Sequence, residues 1–221
     1  MTRQLLIFDL DGTLIDSRQD LATAVNLMRT HYGLPPLSVD TVSGFVGNGM
    51  RRLVERSLDG ADVSIDEAVE LQRRFYLDHL HDATALYPGV AEGLTALHDA
   101  GHVLALATNK DAAACEAILK HFRLRSLFSN VLGGGSTGNL KPHPEMIIVT
   151  MRRLAMTPED AWMVGDHVTD IQCARFAGVK SIFLSYGIGS VEGESPTLTF
   201  SSFRDFADAF MKEGPEPHGN A

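Results

Sequence analysis

Leu5, Leu6, Ile7 and Phe8 run without a polar interruption into Asp9, and Leu10, Asp11, Gly12 and Thr13 follow. A short apolar run with no alternation reads as a strand buried on both faces, as in a parallel sheet covered by helices. Open sheets of that kind gather their ligands at the carboxyl ends of the strands, and Asp9 stands at such an end. Side chains alternate along a strand, so Asp9 is expected to point into a crevice. Gly12 is expected to break the strand, leaving Asp11 on the turn just beyond. Two carboxylates this close raise each other's proton affinity unless a cation intervenes. The segment therefore reads either as a divalent-cation site with one carboxylate free to act as a nucleophile, or as a polar strand end with one aspartate capping a turn.

After Asp16-Ser17 the pattern becomes helical, with Leu21, Ala24, Val25 and Met28 at three- and four-residue spacing. Gly33-Leu34-Pro35-Pro36 stops that helix. Helical spacing returns at Met50, Leu53, Val54 and Leu58, and again from Ile65 to Phe75. Residues 17–83 thus read as an all-helical unit with no strand signal, inserted directly after the first strand. From residue 84 the chain alternates apolar strand runs with helical patterns: Val103–Ala107, Phe128–Leu132, Ala161–Asp166 and Lys180–Leu184, then a short edge segment at Thr197–Phe200. Alternation of this kind predicts an α/β fold with a doubly wound, mostly parallel, Rossmann-like sheet. The expected division is a core of residues 1–16 and 84–213, an inserted all-helical cap of residues 17–83, and a flexible Pro/Gly-rich tail at 214–221.

Further candidate residues sit at strand ends and turns. Thr108-Asn109 ends the Val103–Ala107 run, where a hydroxyl and an amide either bind phosphoryl oxygens or cap the next helix. Lys141-Pro142 closes a glycine-rich loop, and Lys141 reads as a solvated surface residue or as a site cation. Asp166 ends the Ala161–Gly165 run and Asp170 lies four residues on. If a helix begins after Asp166, both carboxylates converge near its amino end. Gly47-Asn48-Gly49 is a helix–helix turn or an anion cradle of backbone N–H groups. Arg51 and Arg52 beside it could hold a carboxylate. His143 reads as structural, and His167 as a surface residue.

The run Asp9-Leu10-Asp11-Gly12-Thr13-Leu14, then Thr108, then Lys141-Pro142, then Gly165-Asp166 with Asp170, resembles the four motifs of the haloacid dehalogenase-like superfamily in order. Within it the chain is similar to the phosphoglycolate phosphatase branch, in which a VGNG-type segment of the cap faces the active site. The resemblance implies Mg²⁺ held by Asp9, Asp166 and the backbone carbonyl of Asp11, with Asp170 orienting metal-bound water or Lys141. It implies Asp9 as nucleophile, Asp11 as acid and base, and Lys141 as the cation bridging nucleophile and substrate. Thr108, Asn109, Lys141, Gly47, Asn48, Gly49 and Arg51 are the substrate-binding candidates. His167 departs from the Ser or Thr usual after the first aspartate of the fourth motif. The expected activity is Mg²⁺-dependent hydrolysis of a small phosphorylated metabolite, with 2-phosphoglycolate the leading candidate. A β-phosphoglucomutase-like mutase, an inorganic pyrophosphatase and a non-catalytic phosphate-binding module are the alternatives. Asp11 favours a phosphate ester, because cleavage of C–Cl or C–P needs no alkoxide protonation.

Composition limits the partners. The formal net charge is −9 and the isoelectric point about 5.4, which argues against a nucleic-acid partner. No apolar run approaches membrane-spanning length, and the amino-terminal segment carries Asp9 inside its apolar run, unlike a signal peptide. The two cysteines, Cys115 and Cys173, form no CxxC pair and fit a cytoplasmic protein. A monomer and a homodimer are both compatible with the pattern.

Overall fold

The structure is a computed structural model and describes residues 3–212; the tail expected at 214–221 lies outside the described residues. Strand β1 (Leu5–Phe8) is followed by a two-residue strand, β2 (Ile15–Asp16). Four helices come next: α1 (Arg18–His31), α2 (Val39–Ser43), α3 (Met50–Leu58) and α4 (Ile65–Asp78). Ser38 and Ser64 accept the first free N–H groups of α2 and α4, from Thr41 and Glu67. Strand β3 (Ala85–Leu86) then pairs antiparallel with β2. The chain thus leaves for the helical unit and returns from it through one small ribbon. Asp20, buried at the start of α1, accepts from Ala83 N, Thr84 N and Thr84 Oγ1, which ties the outgoing and returning segments together.

Beyond the ribbon the chain alternates. Helix α5 (Val90–Asp99) leads to β4 (Val103–Asp111), α6 (Ala112–His121), β5 (Phe128–Gly134), α7 (Glu145–Leu154) and β6 (Ala161–Gly165). Helix α8 (Val168–Ala177), β7 (Lys180–Leu184), β8 (Leu198–Phe200) and α9 (Phe203–Met211) complete the described chain. The main sheet has six strands in the order β5-β4-β1-β6-β7-β8, every neighbouring pair parallel. Its order runs outward from β1 on both sides, so the crevice of a doubly wound sheet opens at the carboxyl end of β1.

The apolar run of β1 is divided between two cores. Leu6 and Phe8 face α5, α6 and α9, where Phe203, Phe206 and Phe210 pack with Trp162. Leu5 and Ile7 face α7 and α8 through Met146, Ile147, Cys173 and Ala174. All four β1 side chains are fully buried, each contributing roughly 1.5–3 kcal/mol on leaving water. A third cluster of Met28, Val54, Leu58 and Ala68 belongs to the helical unit alone. No helix among the described residues is long and apolar enough to cross a membrane.

Candidate active site

Four loops meet above the carboxyl ends of β1, β4 and β6. Asp9 follows β1 directly and is buried, with its backbone N–H bonded to Val164 of β6. Asp166 follows β6, and Asp170 lies in the first turn of α8. Carboxylate oxygens of Asp9, Asp166 and Asp170 all lie within 4.8 Å of one another. Lys141 enters from the loop after β5, and its Nζ lies 2.8 Å from Asp9 Oδ1 and 2.7 Å from Asp170 Oδ1. Burial works against the Lys141 charge, but Asp170 and Asp9 outweigh it and hold the ammonium well above its usual range.

Each carboxylate is held differently. Asp166 Oδ1 accepts from Thr13 Oγ1 at 2.8 Å, and Oδ2 from Ile188 N and Gly189 N at 2.8 and 3.0 Å. Gly12, with φ of +81°, passes so close that an added Cβ would lie 2.1 Å from Asp166 Oδ2; only glycine allows this approach. Burial and the Asp9 charge push the Asp166 carboxyl up to about 6. Asp170 spends one oxygen on Lys141 and the other on the His167 N–H, and its carboxyl is also pushed up, chiefly by burial. Asp9 Oδ1 is buried, and the neighbouring Lys141 ammonium gives it no aligned hydrogen bond.

This donor set fits a hard divalent cation. Three buried carboxylates face one ammonium, an excess of negative charge that a low-dielectric site cannot hold ionised alone. The raised Asp166 carboxyl is an expression of that excess. Oxygen donors at this spacing suit Mg²⁺. The Asp11 carbonyl has no backbone donor among the described residues, so it too is available to a cation.

Asp11 turns away from this cluster. Its carboxylate accepts from Ser17 Oγ and forms an ion pair with Lys110, whose Nζ lies 2.8 and 3.0 Å from its two oxygens. The Lys110 side chain is 4% exposed, and its Nζ also donates to Tyr76 Oη of α4. Burial opposes the Lys110 charge, but Asp11 and Tyr76 more than offset it, and the ammonium is raised. Burial also pushes the Tyr76 hydroxyl up to about 12. Lys110, Tyr76, Thr13 and Ser17 are absent from the sequence-based set of site residues. No sequence signal marked Lys110, because the apolar run ends at Ala107; in the structure β4 continues to Asp111, and strand alternation puts Lys110 on the face of Thr108.

The remaining candidates separate. A cavity of about 260 Å³ is lined by Asp9, Asp11, Thr108, Asp166 and, from the helical unit, Gly47 and Gly49. Thr108 is buried, and its Oγ1 accepts from Lys110 N. Asn109 lines the cavity, and its side chain is engaged within the protein. Its amide donates to Gly47 O and Lys141 O, each at 2.9 Å, and its Oδ1 accepts from Lys141 N at 2.8 Å. Both amide hydrogens are therefore spent on fixing Lys141 and docking the Gly47 loop. Asn48 does not line the cavity, and neither does Arg51, which is 59% exposed and paired with Asp66 and Glu55. Arg52 pairs with Glu55. His143 is spent locally, its Nδ1 accepting from Glu145 N.

His167 departs from a surface position. It is half-buried, lines the cavity and caps α8, its Nδ1 accepting from Thr169 N at 3.2 Å. That bond leaves the proton of the neutral ring on Nε2, which faces the Gly47 loop. Burial lowers its proton affinity. The ring lies between Gly47 and Gly189, where an added Cβ would come within 2.9 Å of Nε2 and 2.7 Å of Cδ2 respectively.

A parallel α/β sheet with a buried carboxylate cluster and an ammonium at its switch point is the architecture of a hydrolase acting on an anionic centre. Residues 6–184 match the family model of the haloacid dehalogenase-like hydrolases. A phosphoglycolate phosphatase of Psychrobacter arcticus is 40% identical over 97% of this chain and 99% of its own length. One from Chromobacterium violaceum is 37% identical over 94% of this chain and 96% of its own. A crystal structure described as a predicted phosphoglycolate phosphatase from Haemophilus somnus superposes with a TM-score of 0.89 at 32% identity, covering 94% of this chain and 98% of that one. The chain belongs to the haloacid dehalogenase-like hydrolases, in their phosphoglycolate phosphatase-like branch, and is a phosphoric monoester hydrolase.

Proposed function

We propose that the protein hydrolyses a small phosphate monoester, 2-phosphoglycolate first among the candidates, by way of an aspartyl-phosphate on Asp9 and with Mg²⁺ as cofactor. The observation that carries this reading is the convergence of Asp9 and Asp166 on one cavity, with carboxylate oxygens of Asp9, Asp166 and Asp170 within 4.8 Å of one another and the Lys141 ammonium 2.8 Å from Asp9 Oδ1. The names of the relatives support the choice of substrate. The proposed division of the chain is a core of residues 1–16 and 84–213 and a cap of residues 17–83, and the β2–β3 ribbon supports that boundary. The proposed setting is the cytoplasm.

Asp9 attacks phosphorus, a P–O bond forms to its carboxylate, and the ester P–O bond breaks. Asp11, one turn further on, gives a proton to the departing alkoxide and then takes one from the water that attacks the same phosphorus. Lys141 and the Thr108 hydroxyl stabilise the charge spread over the phosphoryl oxygens. Asn109 keeps Lys141 in place through the Lys141 backbone. Mg²⁺ held by Asp9, Asp166 and the Asp11 carbonyl would supply charge neutralisation at the phosphoryl group. Residues 17–83 close over the cavity through the Gly47–Asn109 bond, excluding water.

The experiment is kcat/KM across 2-phosphoglycolate, sugar phosphates, nucleoside monophosphates and pyrophosphate, with Mg²⁺ and with EDTA. A large, metal-dependent preference for 2-phosphoglycolate is expected. Conversion of β-glucose 1-phosphate to glucose 6-phosphate with no phosphate release would overturn the reading.

A further inference from the structure

Substrate recognition in this cavity meets a shortage of cations. Asp9, Asp11, Asp111, Asp166 and Glu192 all line it. The arginines of the cap nearest in sequence, Arg51 and Arg52, lie outside it and are paired to acidic neighbours. Lys110 is the one lysine or arginine among the lining residues. A substrate with a second anionic group beside its ester oxygen has this ammonium to turn to.

Lys110 also has a hydrogen to offer. An ammonium carries three N–H donors. The two oxygens of a single carboxylate subtend too small an angle at the nitrogen for two tetrahedral hydrogens to serve both, so Asp11 takes one shared hydrogen. Tyr76 Oη takes a second. The third has no protein acceptor among the described residues. Side-chain exposure of 4% means that bulk water does little to satisfy it, and an unmet donor in a cavity wall is costly. Tyr76, on α4, fixes the ammonium from that side through its hydroxyl.

We propose that Lys110, held in place by Tyr76, is the specificity residue of this site: it binds an anionic group on the alcohol half of the ester and so selects phosphate monoesters of short hydroxy acids. This rests on the phosphatase reading above. The arrangement sets the carboxylate end of the substrate beside Asp11, which places the ester oxygen within reach of the group that protonates it. One charge-assisted contact thus fixes both the identity of the alcohol and its register.

The test compares 2-phosphoglycolate with ethyl phosphate, which lacks the carboxylate. For the wild-type protein kcat/KM is expected to favour 2-phosphoglycolate by about 10- to 100-fold, the range of one charge-assisted contact. Lys110→Met is expected to bring that ratio down to within about threefold of unity, whatever both rates lose through the altered Asp11. Tyr76→Phe is expected to lower the ratio less, chiefly through KM for 2-phosphoglycolate. A Lys110→Met protein in which both esters fall in equal proportion would make the lysine a support for Asp11 only and would overturn the inference. Equal rates for the two esters with the wild-type protein would overturn it without any variant. Turnover of neither ester by the wild-type protein would overturn the phosphatase reading itself, and this inference with it.

Discussion

Lys141 and Asp170 form an ion pair at 2.7 Å in which the two side chains are 1% and 0% exposed. The pair is the base of the site, because the same ammonium also faces Asp9. Removing a partner from a buried pair leaves an uncompensated charge and costs about 3–5 kcal/mol. Lys141→Met is therefore expected to lower the Tm of the metal-free protein by roughly 6–20 °C for a chain of this size, besides abolishing turnover. Thermal denaturation checks it, and a Tm within a degree or two of wild type would mean that the pair carries no structural role.

The raised Asp166 carboxyl gives a pH dependence with a definite sign. Its native value of about 6 lies above the ordinary 3.8, so the folded state binds more protons than the unfolded state between those values. This group's contribution to stability is present below the lower value and lost as pH rises through the higher one. A divalent cation competes with those protons. The rise in Tm on adding Mg²⁺ is expected to be larger at pH 7.5 than at pH 5. Equal rises at both would remove Asp166 from the metal set.

Gly47 lets the α2–α3 loop lie on the His167 ring. Its φ is +106°, and an added Cβ would meet Nε2 at 2.9 Å. Gly47→Ala is expected to cost roughly 10- to 100-fold in kcat/KM by lifting the loop off Asn109, with the fold intact by circular dichroism. His167→Ala in the same protein should recover part of the loss, because it removes the atoms struck. Failure of any recovery would place the effect in backbone strain instead.

The fold was legible where burial is continuous. β1 and β6 carry unbroken apolar runs because both faces of the sheet are covered, and three- and four-residue apolar spacing marked the helices of residues 17–83. The β2–β3 ribbon was not legible, since two-residue strands carry no periodicity. Among site residues, the aspartates and Lys141 stand at strand and loop ends that sequence alone marks. Lys110 was hidden because the apolar signal of β4 stops at Ala107 while the strand continues through polar residues, pairing with β5 across a register shift. Its partners Asp11 and Tyr76 are distant in sequence. Arg51 was attractive for its charge beside a glycine turn, yet the helix turns it towards Asp66 and Glu55.

Asp11 is predicted to act twice. Asp11→Asn keeps the shape and removes the titratable carboxyl, so both formation and breakdown of the phosphorylated enzyme are expected to slow by about 10²–10⁴-fold. Aryl phosphates with acidic leaving groups should lose much less in the first step, because they depart without protonation. Rapid-quench kinetics separate the two steps, and unchanged rates in both would remove Asp11 from the chemistry.

The central claim is covalent attack by Asp9, and its most direct test is an acid quench during steady-state turnover of phosphorus-labelled 2-phosphoglycolate, followed by peptide mapping. Label is expected on the peptide containing Asp9 and absent in Asp9→Asn, with turnover in that variant reduced by at least about 10⁴-fold. Full turnover with no label on Asp9, or with the label on another residue, would contradict it.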